Sequence, residues 1–411
     1  MTILGINFNH DSAVAIIKEN KIIAAIEEEK VSRTKQDFGW PKESIKRLFK
    51  EKNIKKKEVD IIALDKSFLE MMSTYDIKYN FTKRKFDKNQ EYINRITSYL
   101  SLTQRTIKTQ DNIKIFEKLI HDEGFINAKI VFYDHHLGHA ASSYYTSPIN
   151  IDLVITSDGM GGDSSFNFYL PSNQGLKLIK KNSYKVSVGA FYSMITKLLG
   201  FRPTRHEGKI TGLAAYGKHT ELIDKFRNLW KIDKDNNLSR YPFDKLNEEW
   251  NRLKISSKIS YSEQINIKNA SFGNLNDYAK RNLVLLGWLK ENTKGFSKED
   301  IAFACQKIAE EITLNEIKNV KNKLNKKRIS VALSGGVFAN VRINQFVYEL
   351  DFVKNIFIHP AMGDSGLALG NAILADINFS SKKFIERNYP LKHTFLGPNY
   401  HNDLLEYIEE Y

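Results

Sequence analysis

The chain of 411 residues, 42% hydrophobic and 12% aromatic, is longer than one hydrophobic core usually organises, so two lobes or domains are expected. Its single cysteine, Cys305, excludes an internal disulfide framework and a cysteine-cluster zinc site and favours the cytoplasm. No apolar run approaches bilayer length, so we expect no membrane span. The net charge of +14 is scattered over Lys/Asn/Ile-rich segments without interleaved aromatic residues, which indicates a solvated basic surface rather than a nucleic-acid partner.

The first half of the chain predicts one α/β lobe over residues 1–150. Hydrophobic periodicity and turn residues predict strands at residues 3–8, 13–17, 22–26, 59–64 and 129–133, and helices at 42–52 and 135–145. Residues 66–126 are charged and irregularly periodic, so we interpret them as a helical insertion.

The second half repeats the opening pattern and predicts a second lobe over residues 151–380. Strands are predicted at 153–158, 165–170, 176–179, 328–333 and 356–359. Helices are predicted at 187–199, at 297–325, from the turn at 334–336 to residue 349, and at 366–377. Residues 219–297 are interpreted as a second insertion. Two copies of one unit place two polar turns face to face across a cleft, which favours a nucleotide between the lobes; chance similarity of the two meanders is the alternative.

A metal site is indicated by residues 134–139, where a strand is predicted to end and a helix to begin. His135 and His139 are four residues apart, so on a helix both rings lie on one face and can bind one metal ion. Asp158 and Asp364 lie in turns at the ends of predicted strands. Two imidazoles and two carboxylates with open positions suit Fe²⁺, Mn²⁺ or Zn²⁺ better than a closed structural zinc. Surface or capping histidines are the alternative.

Two further motifs are compatible with a bound nucleotide. Gly335 and Gly336 form a turn between a strand and a helix, where backbone amides can approach a phosphate or ribose, and Asn340 can bond a sugar or base. A simple tight turn is the alternative. Lys209 lies in a glycine-rich, charged segment and can contact phosphate with Glu207 orienting it; a surface salt bridge between them is the alternative.

The first polar turn offers a candidate catalytic pair, His10 and Asp11. Both residue types suit proton transfer or binding of a transferred acyl or phosphoryl group. An Asx-type turn closed by Asp11 and Ser12 is the structural alternative.

Together these motifs resemble the amino-terminal domain of the nodulation-type O-carbamoyltransferases, a family related to the tRNA threonylcarbamoyl transferase and, more remotely, to actin and the heat-shock ATPases. The matching segments lie at residues 4–13, 25–33, 135–145, 158–161, 207–217, 334–340 and 360–370. The resemblance implies an α/β fold of duplicated actin-like ATPase (RNase H-like) lobes with helical insertions.

The resemblance also implies a reaction. A carbamoyl-adenylate, made from carbamoyl phosphate and ATP, gives its carbamoyl group to a hydroxyl of a sugar or natural product beside a divalent metal, expected to be Fe²⁺, with Mg²⁺ as a further candidate cofactor. His10 and Asp11 are the predicted catalytic residues. The implied metal ligands are His135, His139, Asp158 and Asp364, and the implied nucleotide contacts are Lys209, Gly335, Gly336 and Asn340.

Two departures from the family pattern bear on these expectations. Gly162 stands where family members often carry an acid, and Asp163 follows it. Residues 393–400 look like the start of the family's YrdC-like C-terminal domain, so we expect 381–411 to be a linker and a truncated start of that domain, which would act in cis or in trans. Two alternatives stay open: a non-catalytic ATP-binding scaffold, and the tRNA threonylcarbamoyl transferase, disfavoured because Leu137 replaces that relative's Glu.

Overall fold

The computed structural model describes residues 1–8, 10–67, 109–232, 238–241, 245–255, 273–380 and 389–400. Large parts of the segments predicted as insertions or as a linker, at 66–126, 219–297 and 381–411, lie outside these residues. The predicted domain boundaries therefore stay predictions. Among the described helices, none is both long enough and apolar enough to cross a membrane.

The first lobe is built on a five-stranded sheet in the order β3-β2-β1-β4-β5. Its strands are β1 Thr2–Asn7, β2 Ala13–Lys18, β3 Lys21–Glu27, β4 Ile61–Asp65 and β5 Lys129–Tyr133. The first three strands are antiparallel neighbours, and β4 and β5 continue the sheet parallel to β1. All five predicted strands are confirmed.

The second lobe repeats this topology with the sheet order β12-β11-β6-β7-β8. Its strands are β6 Leu153–Gly161, β7 Ser164–Ser172, β8 Gly175–Ser183, β11 Ile329–Ser334 and β12 Val353–Ile358. Again three antiparallel strands are followed by two that run parallel to the first. The repeated order confirms the predicted α/β fold of duplicated actin-like, RNase H-like lobes.

The described helices pack on and between these sheets. In chain order they are α1 Glu28–Ser32, α2 Lys42–Glu51, α3 Thr109–Asp122, α4 His135–Thr146, α5 Val188–Leu198, α6 Glu207–Ala214, α7 Leu222–Arg227, α8 Leu246–Arg252, α9 Gly273–Asn292, α10 Lys298–Lys321, α11 Val341–Tyr348 and α12 Gly366–Phe379. A short pair of strands, β9 Trp230–Ile232 and β10 Leu238–Arg240, lies between α7 and α8. Only the short α1 was missed in the first lobe, because five residues are too few for a periodicity signal.

The chain returns to the first lobe after α12. The backbone N–H groups of Tyr389 and Leu391 donate to the carbonyls of Tyr145 and Thr146 at the end of α4. Further on, the Leu396 carbonyl accepts from Ala25 N–H on the edge strand β3. Residues 389–400 therefore run from the end of α4 to the edge strand β3, where the Leu396 carbonyl pairs with a backbone N–H that would otherwise lack a partner on that strand.

Two central helices join the lobes. α4 leaves the first sheet but packs on β6 and β11 of the second, whereas α12 leaves the second sheet but packs on β1, β2 and β4 of the first. The helices pack directly on each other, and a Cβ atom at Gly370 would lie 2.0 Å from the carbonyl oxygen of Gly138. A Cβ atom at Gly5 would likewise lie 1.9 Å from the Ala368 carbonyl. Glycine is required at both contacts, because no other residue allows such a backbone approach.

This contact gives a stability prediction for Gly370→Ala. The added methyl group must push α4 and α12 apart, so we expect a loss of about 1–3 kcal/mol in the free energy of unfolding, measured by urea denaturation. Gly212→Ala is the matched control, since Gly212 also lies in a helix but has open space around its Cβ position. The control should gain about 0.5–1 kcal/mol. Equal effects of the two substitutions would contradict the packing argument.

Candidate metal centre

The four predicted metal ligands come together where the lobes meet. His135 and His139 lie in the first turns of α4, Asp158 lies in β6, and Asp364 lies in the turn before α12. One possible ligand atom from each residue lies within 4.8 Å of the others. Three of these residues are buried, and the side chain of Asp158 is 20% exposed.

Both imidazoles point the same nitrogen at the carboxylates. His139 Nε2 lies 3.2 Å from His135 Nε2, 3.2 Å from Asp158 Oδ2 and 3.5 Å from Asp364 Oδ1. His135 Nε2 lies 3.5 Å from Asp158 Oδ2 and 3.8 Å from Asp364 Oδ1. Two nitrogens and two oxygens therefore surround one common point, as ligands of a single cation must.

The start of α4 explains why the two rings share a face. The carboxylate of Asp134 accepts from the Leu137 backbone N–H at 2.9 Å and caps the helix. Because the chain is helical from His135 onward, side chains four residues apart lie on the same face. The cap therefore sets the geometry that the sequence spacing predicted.

A fifth side chain, Asp65, holds His135 from behind. Asp65 ends β4, and its Oδ2 lies 2.8 Å from His135 Nδ1, with both groups buried. The carboxylate also accepts from the N–H and hydroxyl of Ser67. A carboxylate on Nδ1 fixes the ring and leaves Nε2 free to bind a metal. Sequence analysis missed Asp65, although it is also an acid at a strand end, because the insertion was taken to begin beside it.

Burial and opposite charges shift the pKa values of the cluster. Burial lowers the pKa of His135, but the carboxylates of Asp65, Asp364 and Asp158 outweigh it, so the pKa lies well above its usual value. The pKa of His139 is raised by the same balance, in which Asp158 and Asp364 overcome burial. Burial raises the pKa of Asp158, yet hydrogen bonds from both imidazoles hold it well below its usual value. Protons on the imidazoles thus supply positive charge that a divalent cation could replace.

The predicted catalytic pair reaches the cluster from the β1–β2 turn. His10 Nε2 lies 3.2 Å from Asp364 Oδ2, and its Nδ1 lies 3.1 Å from Asp11 Oδ2. Asp11, with a positive φ of 56°, accepts from Arg205 Nη1 at 2.7 Å. The His10 side chain is 42% exposed, whereas that of Arg205 is 4% exposed. A chain of polar contacts therefore crosses the cleft from Arg205 to Asp364, and sequence analysis gave Arg205 no role in it.

The carboxylate of Asp11 is strongly biased towards its charged form. Burial raises its pKa, but the contacts with His10 and Arg205 outweigh burial and lower it to about 2. Burial also lowers the pKa of His10, yet Asp364 and Asp11 raise it above its usual value. The His10 ring, part of which is exposed, is therefore protonated and positively charged at pH values below its raised pKa.

The glycine pair predicted to bind a nucleotide lies against the four candidate metal ligands. Gly335 has a φ of 99°, and a Cβ atom there would lie 2.2 Å from the Ser157 carbonyl oxygen. A Cβ atom at Gly336 would lie 3.3 Å from Asp158 Oδ1. The turn therefore needs glycine for its conformation and for its close approach to β6.

The other two predicted nucleotide residues lie on neighbouring helices with partners of their own. Asn340 caps α11 by accepting from two backbone N–H groups, and its Nδ2 donates to Gln306 Oε1 at 2.8 Å. Lys209 is exposed on α6, with its Nζ 5.2 Å from the centre of the Phe201 ring. Glu207, expected to orient Lys209, instead accepts from Ser193 and Thr204, because residues two apart on a helix do not face each other.

Comparison with known proteins gives a family match and several curated relatives. A family model described as the carbamoyltransferase N-terminus matches residues 2–373. An uncharacterised protein of Synechocystis sp. is 28% identical, covering 98% of this chain and 62% of its own length. An uncharacterised protein of Methanocaldococcus jannaschii is 29% identical, with coverages of 98% and 67%. Nodulation protein NolNO of Sinorhizobium fredii is 23% identical, with coverages of 96% and 50%. The chain thus spans about half to two thirds of these relatives.

Two solved structures resemble the chain more remotely. Component A of (R)-2-hydroxyglutaryl-CoA dehydratase from Acidaminococcus fermentans has 15% identity and a TM-score of 0.44, covering 90% of this chain and 96% of that one. HypF of T. kodakarensis has 11% identity and a TM-score of 0.42, covering 91% of this chain and 47% of that one. The match over residues 2–373, by contrast, shows that the chain belongs to the carbamoyltransferase family, whose amino-terminal domain it carries.

Proposed function

We propose that the chain carries the transfer site of an O-carbamoyltransferase, where the carbamoyl group of carbamoyl-adenylate passes to a hydroxyl of a sugar or natural product. The observation that carries this proposal is the convergence of His135, His139, Asp158 and Asp364 between the lobes. Family membership supplies the reaction class. We assign formation of the adenylate, from carbamoyl phosphate and ATP with Mg²⁺, to a YrdC-like domain acting in cis or in trans, and we place the reaction in the cytoplasm.

The donor set fits a divalent transition metal, and we propose Fe²⁺. Two imidazole nitrogens and two carboxylate oxygens face one point, and Asp65 supports His135 in the manner of a metal-bound histidine. When bound, such an ion would polarise the carbamoyl carbonyl and lower the pKa of the acceptor hydroxyl.

The neighbouring residues of the chain bind and orient the substrate in this proposal. A protonated His10, held by Asp11, which accepts in turn from Arg205, suits the anionic phosphate of carbamoyl-adenylate. Gly336 is exposed beside Asp158 and leaves room for a ribose or phosphate to approach the backbone. Lys209 and Asn340 remain the proposed outer contacts of the nucleotide.

The first prediction for this site concerns His139→Ala. Removal of a ligand nitrogen should abolish Fe²⁺ retention, measured as iron content after anaerobic loading and dialysis. It should also lower AMP release from carbamoyl-adenylate in the presence of a panel of sugar hydroxyl acceptors by more than about 100-fold. His121→Ala, an exposed histidine on α3, is the control and should change neither value. Full iron content in His139→Ala would remove the ligand assignment. A parent protein that binds iron but releases no AMP would favour the non-catalytic scaffold.

The second prediction concerns pH. Metal binding must displace protons from His135 and His139, whose pKa values are raised, so affinity for Fe²⁺ should already fall as the pH drops below neutrality. Asp65→Asn removes a cause of the raised pKa of His135 and should move the midpoint of this fall to lower pH. Titration of the metal between about pH 5 and 9 measures both curves. An unchanged midpoint in Asp65→Asn would contradict the assigned proton competition.

The third prediction separates substrate binding from metal binding. Asp11→Asn weakens the hold on His10 but removes no ligand, so iron content should stay unchanged while AMP release falls about 100-fold. Asp163→Asn is the control, since this exposed acid pairs with Lys181 and contacts neither His10 nor Arg205 among the ion pairs of the described residues. Loss of iron from Asp11→Asn to the extent seen in His139→Ala would show that the β1–β2 turn supports the metal site instead.

A further inference from the structure

Arg240 is a buried arginine in the segment predicted as the second insertion. It ends β10, and its side chain is 3% exposed. Its Nη1 donates to the Ser187 carbonyl oxygen at 2.7 Å, and its guanidinium carbon lies 5.4 Å from the centre of the Trp230 ring. Its Nε has no hydrogen-bond partner, and no carboxylate pairs with it among the residues that the structure describes.

Such an arrangement is unfavourable for the fold by itself. Burial lowers the pKa of Arg240, Tyr278 opposes the shift and nearby Arg281 adds to it, which together bring the pKa to about 10, so the side chain stays charged at neutral pH. A buried charge without an opposite charge destabilises a folded protein, because hydrogen bonds recover only part of the lost hydration. Local rules of this kind are broken most often at functional sites. The hydrogen bond from Arg240 to the Ser187 carbonyl therefore indicates which part of the protein Arg240 supports.

That contact leads directly to a metal ligand. Ser187 is fully buried and caps α5 by accepting from Ala190 N–H at 2.9 Å. The Ser187 hydroxyl also donates to the backbone carbonyl of Asp158 at 3.1 Å. Two residues further on, a Cβ atom at Gly189 would lie 3.0 Å from the backbone nitrogen of Gly159. The start of α5 thus rests on the peptide group that carries the Asp158 carboxylate.

We propose that Arg240 is a positioning residue of the metal centre. By holding the Ser187 carbonyl it fixes the start of α5, and through the Ser187 hydroxyl it fixes the backbone from which the Asp158 carboxylate reaches His135 and His139. The inference rests on the proposed metal site. The segment predicted as the second insertion would then influence metal affinity through Arg240, although it contributes no metal ligand to the proposed site.

The test compares metal affinity with stability in Arg240→Met, which keeps a similar length but has neither charge nor donor. The probe is Co²⁺ alone, titrated into the whole chain and followed by its visible absorption bands, which report ligand geometry. We expect affinity to fall about 10–100-fold, as for other residues that orient ligands, and the bands to change. The thermal midpoint without metal should stay equal or rise, because an uncompensated buried charge is removed.

Two further variants sharpen the comparison. Arg240→Lys keeps the charge and a donor and should recover part of the affinity. Arg252→Met is the matched control: this exposed arginine on α8 belongs to the same predicted insertion but pairs with Glu249, so its affinity for Co²⁺ should equal that of the parent protein. Parallel loss of affinity and stability in Arg240→Met without recovery in Arg240→Lys would mean that Arg240 only supports the fold, and would overturn the inference.

The remaining outcomes separate this inference from the proposed function. Equal Co²⁺ affinity and spectrum in the parent and Arg240→Met overturns the inference and leaves the metal site standing. A parent protein that binds neither Co²⁺ nor Fe²⁺ overturns both. Should Arg240→Met fail to fold, Ser187→Gly decides, because glycine is tolerated as a helix cap but cannot donate to Asp158. An affinity equal to that of the parent in Ser187→Gly likewise overturns the inference.

Discussion

The backbone contact between Gly138 and Gly370 is the constraint on which the rest of the structure depends. α4 begins at His135 and α12 begins just after Asp364, so the distance between these helices sets the distance between proposed metal ligands that are more than two hundred residues apart. Each helix also packs on the sheet of the opposite lobe. This contact therefore limits both the separation of the lobes and the spacing of the proposed ligands, and it excludes any side chain larger than hydrogen.

The charges of the cluster follow from this packing. Burial makes isolated charges costly, yet Asp65, Asp158 and Asp364 lie around two imidazoles, so positive charge on the rings is needed for balance. Under the proposed function, protons and a divalent cation would compete for the same Nε2 positions. His10 and Asp11 extend the alternation of charges into the cleft, where solvent and substrate can reach it. This arrangement of charges supports the proposal of a cation at the buried end of the site and an anionic substrate group at its exposed end.

Much of this arrangement was predictable because it depends on local sequence. Alternating apolar residues and polar turns defined the strands of both sheets, and the four-residue spacing of His135 and His139 placed two rings on one face. Positions at the ends of predicted strands identified Asp158 and Asp364, although β6 continues past Asp158 to Gly161. Contacts that depend on how separate segments meet were not predictable: Arg205 and Ser187 carry no pattern of their own, and an acid at a strand end such as Asp65 has no assigned partner until the lobes are assembled.

The two kinds of ligand are supported in different ways for a chemical reason. An imidazole has a second nitrogen, so Asp65 can hold His135 by its Nδ1 without blocking Nε2. A carboxylate that binds a cation must keep its oxygen free, and the second oxygen of Asp158 already accepts from Gly159 N–H in its own turn. Its orientation must then come from the backbone. Gly335 packs closely on the backbone of Ser157, and the Ser187 hydroxyl donates to the Asp158 carbonyl. Backbone contacts within the second lobe therefore orient the Asp158 carboxylate.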